Sequence, residues 1–218
     1  MTRDEAVQEM KDMLSFRTDQ DAYLARQLKR AQEYYEARPL LPDFLISERF
    51  DITTTAGEER IPTPAEFLRE IEEDAIYYIA SSADQDGFVG ERPLVKKDLD
   101  DLREAYSDYS GSLTPKNYAF DGTYFRVFPV DSDNTYKLKM MFYKKDDELS
   151  SGSAENRWLK KAPYLIIARA LYWAAIALRD RDAKQAATEM LSSEENNYLW
   201  ASELRESTNR RYAMGETL

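Results

Sequence analysis

The sequence predicts an α+β fold, in which an antiparallel helical bundle built from both chain ends carries an antiparallel β-rich insertion. Apolar residues recur at helical spacing before residue 49 and again after residue 155, and the residues between them alternate between apolar and polar. We therefore expect a helical body from residues 1–48 and 156–218. We expect the β-rich insertion, with one short helix, from residues 49–155.

The first helix is predicted from a capping-box spacing followed by an apolar stripe. Thr2 and Glu5 lie three residues apart, as the N-cap residue and its partner in a capping box do. Apolar residues then recur at helical period, which predicts a helix from about Asp4 to Phe16. The stripe consists of Ala6, Val7, Met10, Met13 and Leu14.

A second helix follows and is expected to form a hairpin with the first. Thr18 or Asp19 can cap its start, and Pro39 ends it because proline disfavours helical geometry in the residue before it. We expect this helix to bury one apolar stripe. That stripe consists of Leu24, Leu28, Ala31 and Tyr35.

The β-rich insertion begins with two candidate strand regions. Residues 49–64 place β-branched residues on both sides of Ala56-Gly57-Glu58, which predicts a β-hairpin. Residues 66–80 contain an alternation that suits a strand or a helix, and we assign them to strand. Residues 81–93 have the composition of a loop.

A short helix is predicted next, within residues 93–108. Three large side chains lie on one side of it at helical spacing. These are Leu99, Leu102 and Tyr106. The polar residues that follow should end this helix before the next strand.

The turn at Asp121-Gly122 predicts a hairpin, since Asp-Gly between alternating segments is a strong hairpin signal. A third strand over residues 136–145 completes three antiparallel strands. The last two of these strands are expected to form a ribbon over residues 122–145. One face of this ribbon is apolar, and the other carries Arg126, Lys137 and Lys139. Lysines on an outward face protect a sheet edge, or they contact an acidic partner or a neighbouring subunit. The sequence leaves both interpretations open.

Two long helices are predicted at the end of the chain. Asn156 can cap a helix that runs to about Arg179, and a second helix or a kinked extension continues after it. One face of the last helix is lined by Ala187, Leu191, Tyr198 and Ala201. The apolar run of residues 165–178 is interrupted by Arg169 and is shorter than a membrane span, so it predicts a buried helix.

The composition excludes several kinds of chemistry. The 218 residues include no cysteine and no histidine, which excludes disulfides, Cys-ligated zinc and every Ser-His or Cys-His dyad. The hydrophobic fraction of 43% indicates an ordered core. The formal net charge of −11 argues against general DNA binding, which depends on clustered lysine and arginine. The charged start lacks a signal peptide, so we expect synthesis in the cytoplasm.

No motif for a cofactor, a metal or catalysis emerges. Closely spaced phosphate-binding glycines are missing from the sequence. The acidic stretch from Asp131 resembles the opening of a calcium loop, but Tyr136 and Phe142 occupy the positions of its glycine and its bidentate glutamate. We therefore interpret it as a solvated turn. The many paired carboxylates are typical of charged solvent faces.

Three stretches resemble, in their order, the head-to-tail connector or adaptor proteins of tailed bacteriophages. They are TPKNYAFDGTYFRVFP, DNTYKLKMMFYKKDDELS and ENRWLKKAPYLIIARALYWAAIALRDRDA. The family has a proline and a tyrosine before a Gly-led strand, a second strand with an aromatic end, and an N-x-W-L start to an alanine-rich helix. A weaker similarity in ITTTAGEERIPTPAEFLREI extends the resemblance over about residues 52–183. The stretch PVDSDN differs from the family, whose members often have a second proline at this turn.

The resemblance implies a virion structural protein and not an enzyme. Members form a ring, usually dodecameric, below the portal; the ring extends the DNA channel and provides the platform for tail attachment. The implied partners are the portal protein, the tail or nozzle proteins and other copies of the chain, without a cofactor or a membrane. DNA would pass through the channel without specific binding. The implied location is the neck of the virion, after assembly in the bacterial cytoplasm.

Two surfaces follow as hypotheses from this resemblance. Arg126, Lys137 and Lys139 would contact a neighbouring subunit or the tail, and the segment 207–218 would dock on the portal. The candidate residues of that segment are Asn209, Arg210, Arg211, Tyr212 and Met214. Two alternatives remain: another virion binding module, such as a tail-side protein or an assembly chaperone, and a carboxylate-based hydrolase.

Overall fold

A computed structural model describes residues 1–14, 20–71, 75–80, 89–107, 114–132 and 134–200. It confirms the α+β class, with six α-helices and ten strands in the described residues. The chain divides into two compact units. Unit 1 consists of Met1–Leu45 and Lys145–Leu218, and unit 2 consists of Ile46–Lys144.

The helices and strands occur in the following order along the chain. The helices are α1 (Arg3–Met13), α2 (Asp21–Glu36), α3 (Leu99–Ala105), α4 (Arg157–Lys161), α5 (Pro163–Leu178) and α6 (Arg181–Glu195). The strands are β1 (Phe50–Thr53), β2 (Arg60–Pro62), β3 (Phe67–Glu70), β4 (Ile76–Ala80), β5 (Gly90–Pro93), β6 (Val95–Lys96), β7 (Asn117–Phe120), β8 (Tyr124–Phe128), β9 (Lys137–Met140) and β10 (Phe142–Lys144). A 3-10 turn (Asp43–Leu45) follows α2, and a π-helical turn (Asn196–Trp200) follows α6.

Unit 1 begins as the sequence predicts. The Thr2 hydroxyl accepts the Glu5 N–H, the Glu5 carboxylate accepts the Thr2 N–H, and both predicted apolar stripes are largely buried. Helix α1 ends at Met13, earlier than predicted, because Leu14 adopts an extended conformation. The proposed caps Thr18 and Asp19 lie outside the described residues, as does Phe16.

The predicted continuous helix after Asn156 is wrong, because it consists of two helices. Asn156 does cap the first, and its Oδ1 accepts the Leu159 N–H at 2.9 Å. Helix α4 ends at Lys161, because Pro163 disfavours helical geometry in the residue before it, Ala162. Pro163 then begins α5, where its missing N–H costs nothing. Arg179, with a left-handed φ of 59°, ends α5.

Helix α5 forms the centre of unit 1. It packs against α2 and α6, and α1 packs against both α2 and α5. Its fully buried side chains include Leu165, Ile166, Ile167 and Leu171. Of the helices described, none has the length and apolar content that crossing a membrane requires.

Unit 2 contains three small sheets. Their strand orders are β1-β9-β4-β5, β10-β3 and β2-β8-β7-β6, and every pair is antiparallel except β6 with β7. The predicted hairpin at Asp121-Gly122 is confirmed by the pairing of β7 with β8, with Phe120 opposite Phe125. Gly122 adopts a φ of 90°, which only glycine tolerates readily. The predicted short helix is α3, and Leu102 is its buried side chain.

Two predicted hairpins are wrong. Strands β1 and β2 flank the turn at Gly57, but β1 pairs with β9 and β2 pairs with β8. Strands β8 and β9 also lie in different sheets and do not form a ribbon. Alternation specifies a strand but not its partner, and the residues between β8 and β9 contain Pro129 and no two-residue turn signal.

The remaining expectations for unit 2 have mixed outcomes. The strand assignment of residues 66–80 is confirmed, since they contain β3 and β4. The loop assignment of residues 81–93 is wrong at its end, because Gly90–Pro93 forms β5 and pairs with β4. The pairing with β4 overrides a local composition that suits a turn. Residues 81–88 lie outside the described residues.

Strand β9 supplies a sharp test of the sheet register. Leu138 is buried opposite Ile52 of β1 and Tyr78 of β4, whereas its neighbour Lys137 is exposed. We expect Leu138→Ala to lower the free energy of unfolding by about 2–5 kcal/mol, because it leaves a cavity in the core. Urea unfolding followed by far-UV circular dichroism measures this change.

Lys137→Ala is the matched control on the same strand. It should change the free energy of unfolding by no more than about 0.5 kcal/mol, since surface substitutions usually have small effects. Equal losses for Leu138→Ala and Lys137→Ala would contradict the register described for β9.

Candidate interaction site

Arg126, a predicted interface residue, is largely enclosed within unit 2. It lies on β8 with only 7% of its surface exposed. Its Nε and one terminal nitrogen donate to Asp121 Oδ2 at 2.8 and 2.6 Å, and its other terminal nitrogen pairs with Glu59. The guanidinium is therefore used in contacts within the unit.

Asp121 lies in the turn between β7 and β8 and accepts hydrogen bonds within it. Its Oδ1 accepts the N–H groups of Tyr124 and Thr123 at 2.7 and 3.0 Å. These backbone donors, together with Arg126, lower the pKa of Asp121 to about 2. Arg126 thus helps to fix the turn between β7 and β8.

The two predicted lysines lie on β9, in a different sheet from Arg126. Lys137 is exposed and Lys139 is half-buried, and the alternation of a strand directs both side chains to the same face. The ammonium of Lys139 pairs with Glu91 of β5, and Glu91 also pairs with Arg49. The structure brings the two lysines together but does not place Arg126 beside them.

The remaining predicted site residues lie in the last part of the chain. Asn209, Arg210, Arg211, Tyr212 and Met214 fall outside the described residues. Their role in docking stays a prediction.

The calcium-loop resemblance has a structural explanation. Asp131 is only 3% exposed, so the expectation of a solvated turn is wrong for its side chain. Its carboxylate accepts the Asn134 N–H and the Asn134 side-chain amide, each at 3.0 Å, and the Tyr136 hydroxyl. The carboxylate closes its own turn. Across the described part of the chain, no group of three or more acidic side chains is arranged to hold a metal ion.

Two buried carboxylates lie close together in unit 1. Glu36 is 4% exposed and Asp146 is 7% exposed. One oxygen of Glu36 accepts hydrogen bonds from the Gln32 amide at 2.9 Å, the Trp158 indole at 3.2 Å and the Asp146 N–H at 3.3 Å. Asp146 Oδ2 accepts the Trp158 N–H at 3.0 Å. We call this set, with Asn156, the buried carboxylate cluster.

Asn156 completes the cluster while it caps α4. Its amide nitrogen donates to the Gln32 side-chain oxygen and to the Asp147 carbonyl, each at 3.0 Å. The cluster therefore joins the end of α2 to residues 146–147 and to the start of α4. All residues of the cluster belong to unit 1, and the hydrogen bonds described for them are made within that unit. We therefore interpret the cluster as structural.

The electrostatics of the cluster follow from its burial. Burial raises the pKa of Glu36. The donors Gln32, Trp158 and the Asp146 N–H oppose this effect, and the negative charge of the Asp146 carboxylate reinforces it. Burial also raises the pKa of Asp146, against hydrogen bonds from the backbone of Trp158 and Asp147. Both acids consequently hold their protons more strongly than exposed carboxylic acids do.

Sequence reasoning missed this cluster, although one signal was present. Gln32 and Glu36 lie four residues apart and border the apolar stripe of α2 that contains Leu28 and Tyr35. A polar pair beside a buried stripe requires partners inside the protein. Nothing in the local sequence indicated that those partners would be Asp146, more than a hundred residues away, and Trp158.

A comparison with protein families gives one match across nearly the whole chain. The family model described as SU10 adaptor protein matches residues 1–215. The match includes residues of both units and extends past residue 200 to residue 215. None of the curated proteins matches the chain significantly.

The buried carboxylate cluster predicts a pH dependence of stability. The folded state keeps the Glu36 proton at pH values where the unfolded chain has lost it. The resulting stabilisation is fully present below the ordinary pKa of the acid and is lost as pH rises through the raised pKa. Glu36→Gln keeps the acceptor oxygen but removes the titration. We expect the stability of the parent chain, relative to Glu36→Gln, to fall as pH rises from the ordinary pKa of a glutamic acid, about 4, through the raised pKa of Glu36.

Urea unfolding at a series of pH values, followed by tryptophan fluorescence, measures this difference. Glu33→Gln is the matched control, since Glu33 is exposed on the same helix. A difference between the parent chain and Glu36→Gln that is constant with pH would contradict a raised pKa at Glu36.

Proposed function

Because the chain belongs to the SU10 adaptor protein family, a family of phage structural proteins, we propose that it is the head-to-tail adaptor of its virion. Copies form a ring, dodecameric by the family resemblance, below the portal. The ring extends the DNA channel and provides the attachment platform for the tail or nozzle proteins. The observation that carries this proposal is the family match over residues 1–215 of 218.

The charge of the chain supports passage of DNA without retention. The chain has 41 acidic and 30 basic residues. A basic channel wall would bind phosphates by releasing counterions, and the passing genome would be held. An acidic subunit avoids that attraction, and salt screens its repulsion beyond about 8–10 Å.

The chemistry of the described residues suits a structural role. Arg126 of β8 and Lys139 of β9 are paired with carboxylates of the same unit. The buried acids Glu36 and Asp146 accept hydrogen bonds from residues of α2, of α4 and of the chain before α4, and so link these segments of unit 1. These features support binding and assembly in preference to hydrolysis by a carboxylate pair.

The contacts of the ring are proposed at two places. Lys137 is the exposed basic residue of β9, and with Lys139 it faces an acidic neighbouring subunit or the tail. The segment 207–218, with its Arg210-Arg211 pair, docks on the portal. Arg126 contributes indirectly, because it holds the β7–β8 turn through Asp121.

The proposal is tested by mixing the purified chain with the portal protein of its virus. We expect electron micrographs to show rings at one end of the portal, because the adaptor joins portal to tail. Native mass measurement of the same sample gives the copy number. A chain that stays monomeric or dimeric beside the portal would contradict the adaptor role and favour an assembly chaperone.

The two contact regions are separable by mutation. Deletion of residues 207–218 should abolish portal binding, because it removes the docking segment. Lys137→Glu with Lys139→Glu should leave portal binding intact but weaken ring or tail attachment, because it reverses the charge offered to an acidic neighbour. Pull-down with the portal and electron microscopy read out the two steps.

Lys184→Glu is the control for charge, since Lys184 is exposed on α6 and far in sequence from both regions. Portal binding that survives the deletion would overturn the role of the C-terminal segment. Normal rings and tails with both lysines reversed would overturn the role of β9.

A further inference from the structure

Helices α2 and α5 carry a ladder of alternating arginine and aromatic side chains on the surface of unit 1. The Arg30 guanidinium lies 4.6 Å from the Trp173 ring centroid, and those of Arg169 and Arg38 lie 4.7 and 5.0 Å from that of Tyr34. Tyr34 and Trp173 make an edge-to-face contact at 5.5 Å. We call Arg30, Tyr34, Arg38, Arg169 and Trp173 the arginine–aromatic ladder.

The ladder carries more positive charge than its ion pairs within the described residues neutralise. Glu195 is the carboxylate that pairs with both Arg169 and Arg38. It also accepts the hydroxyl of the buried Tyr35 at 3.0 Å. Arg30 is exposed, and within the described ranges it makes no ion pair. In the described residues, Glu195 therefore pairs with two of the three guanidinium groups of the ladder, and the third, that of Arg30, has no carboxylate partner.

The ladder also remains accessible. Tyr34, Arg38, Arg169 and Trp173 are each partly exposed. Ile176, one helical turn after Trp173 on α5, is 48% exposed, which is high for a large apolar side chain. The ladder and Ile176 together form a surface that offers aromatic, apolar and cationic groups.

Such a surface has the composition of a binding hot spot. Tryptophan, tyrosine and arginine are the residues most enriched among those that dominate interface energies. The stacked arrangement already orders the arginine side chains, so less conformational entropy is lost when a partner binds. The excess of positive charge selects a partner surface that carries carboxylates.

We propose that the arginine–aromatic ladder is the contact surface for a second copy of this chain. The chain has a net charge of −11, so the faces of a second copy away from its own ladder present excess carboxylate. Unit 1 itself has exposed carboxylates outside the ladder, for example those of Asp4, Glu5 and Asp12 on α1. Charge complementarity therefore favours the ladder of one copy against an acidic face of the next.

The sign of the charge also decides the symmetry of the contact. Two ladders facing each other would place like charges together, which disfavours a twofold dimer through this surface. A contact between two different faces is heterologous, and repetition of such a contact closes a ring or builds a filament. This inference rests on the proposed function in that it supplies one of the contacts between copies in the ring.

Sedimentation velocity of the chain alone, over a range of concentrations and salt, tests the inference without the portal. We expect association that grows with concentration and weakens as salt rises. Arg30→Glu should weaken this association by about tenfold or more, because it reverses the charge at the hot spot. Lys184→Glu makes the same change of charge on exposed α6 and should associate as the parent chain does.

The lack of cysteine allows a second, direct measurement. Ile176→Cys introduces the single thiol of the chain beside the ladder, and Lys184→Cys introduces one on α6. The reaction of the thiol at position 176 with a maleimide should slow at associating concentrations, because the second copy covers it. The thiol at position 184 should react at the same rate throughout. Urea unfolding and circular dichroism verify that each variant is folded.

The inference is overturned if the parent chain stays monomeric at every concentration, if folded Arg30→Glu associates as the parent chain does, or if the thiol at position 176 stays equally reactive. Its failure is distinguishable from failure of the adaptor role. A chain that associates through the ladder but leaves the portal bare contradicts the adaptor role alone. Rings that form normally on the portal with Arg30→Glu contradict the ladder alone.

Discussion

The interaction on which unit 1 most depends is the hydrogen bonding around Glu36 and Asp146. Two acids are buried there at a cost in desolvation, which hydrogen bonds from Gln32, Trp158 and backbone N–H groups offset. The donors come from α2 and from the chain that returns at residue 146. The cluster therefore fixes where the second half of unit 1 joins the first, at the start of α4, the helix that directly precedes α5.

The sequence predicted the elements of the fold better than their pairings. Local signals such as the capping box at Thr2, the Asn156 cap and the Asp121-Gly122 turn act over a few residues, so they are legible in the sequence. The partners of β1 and β9 are set by contacts between residues more than eighty positions apart in the chain. Periodicity states which face of a strand is buried but not which strand lies beside it.

The same limit applies to the candidate site. The alternation of residues 124–141 correctly placed Lys137 and Lys139 on one face of a strand, but Arg126 belongs to another sheet. Its burial depends on Asp121 and Glu59, and only the three-dimensional structure brings Glu59 to it. The arginine–aromatic ladder likewise joins residues of α2 and α5. Each helix alone shows only scattered arginines and aromatic residues, and packing of the two helices creates the surface.

Unit 1 is assembled from two separated parts of the polypeptide, and this has a consequence during translation. Helices α1 and α2 leave the ribosome long before α5, against which α2 packs. At ordinary rates of synthesis the interval is on the order of ten seconds, during which the apolar stripe of α2 lacks its cover. During this interval, chaperones that bind exposed apolar helices can bind the nascent chain at α2. Unit 2, Ile46–Lys144, is continuous in the polypeptide, so all of its residues have been synthesised before α5 is made.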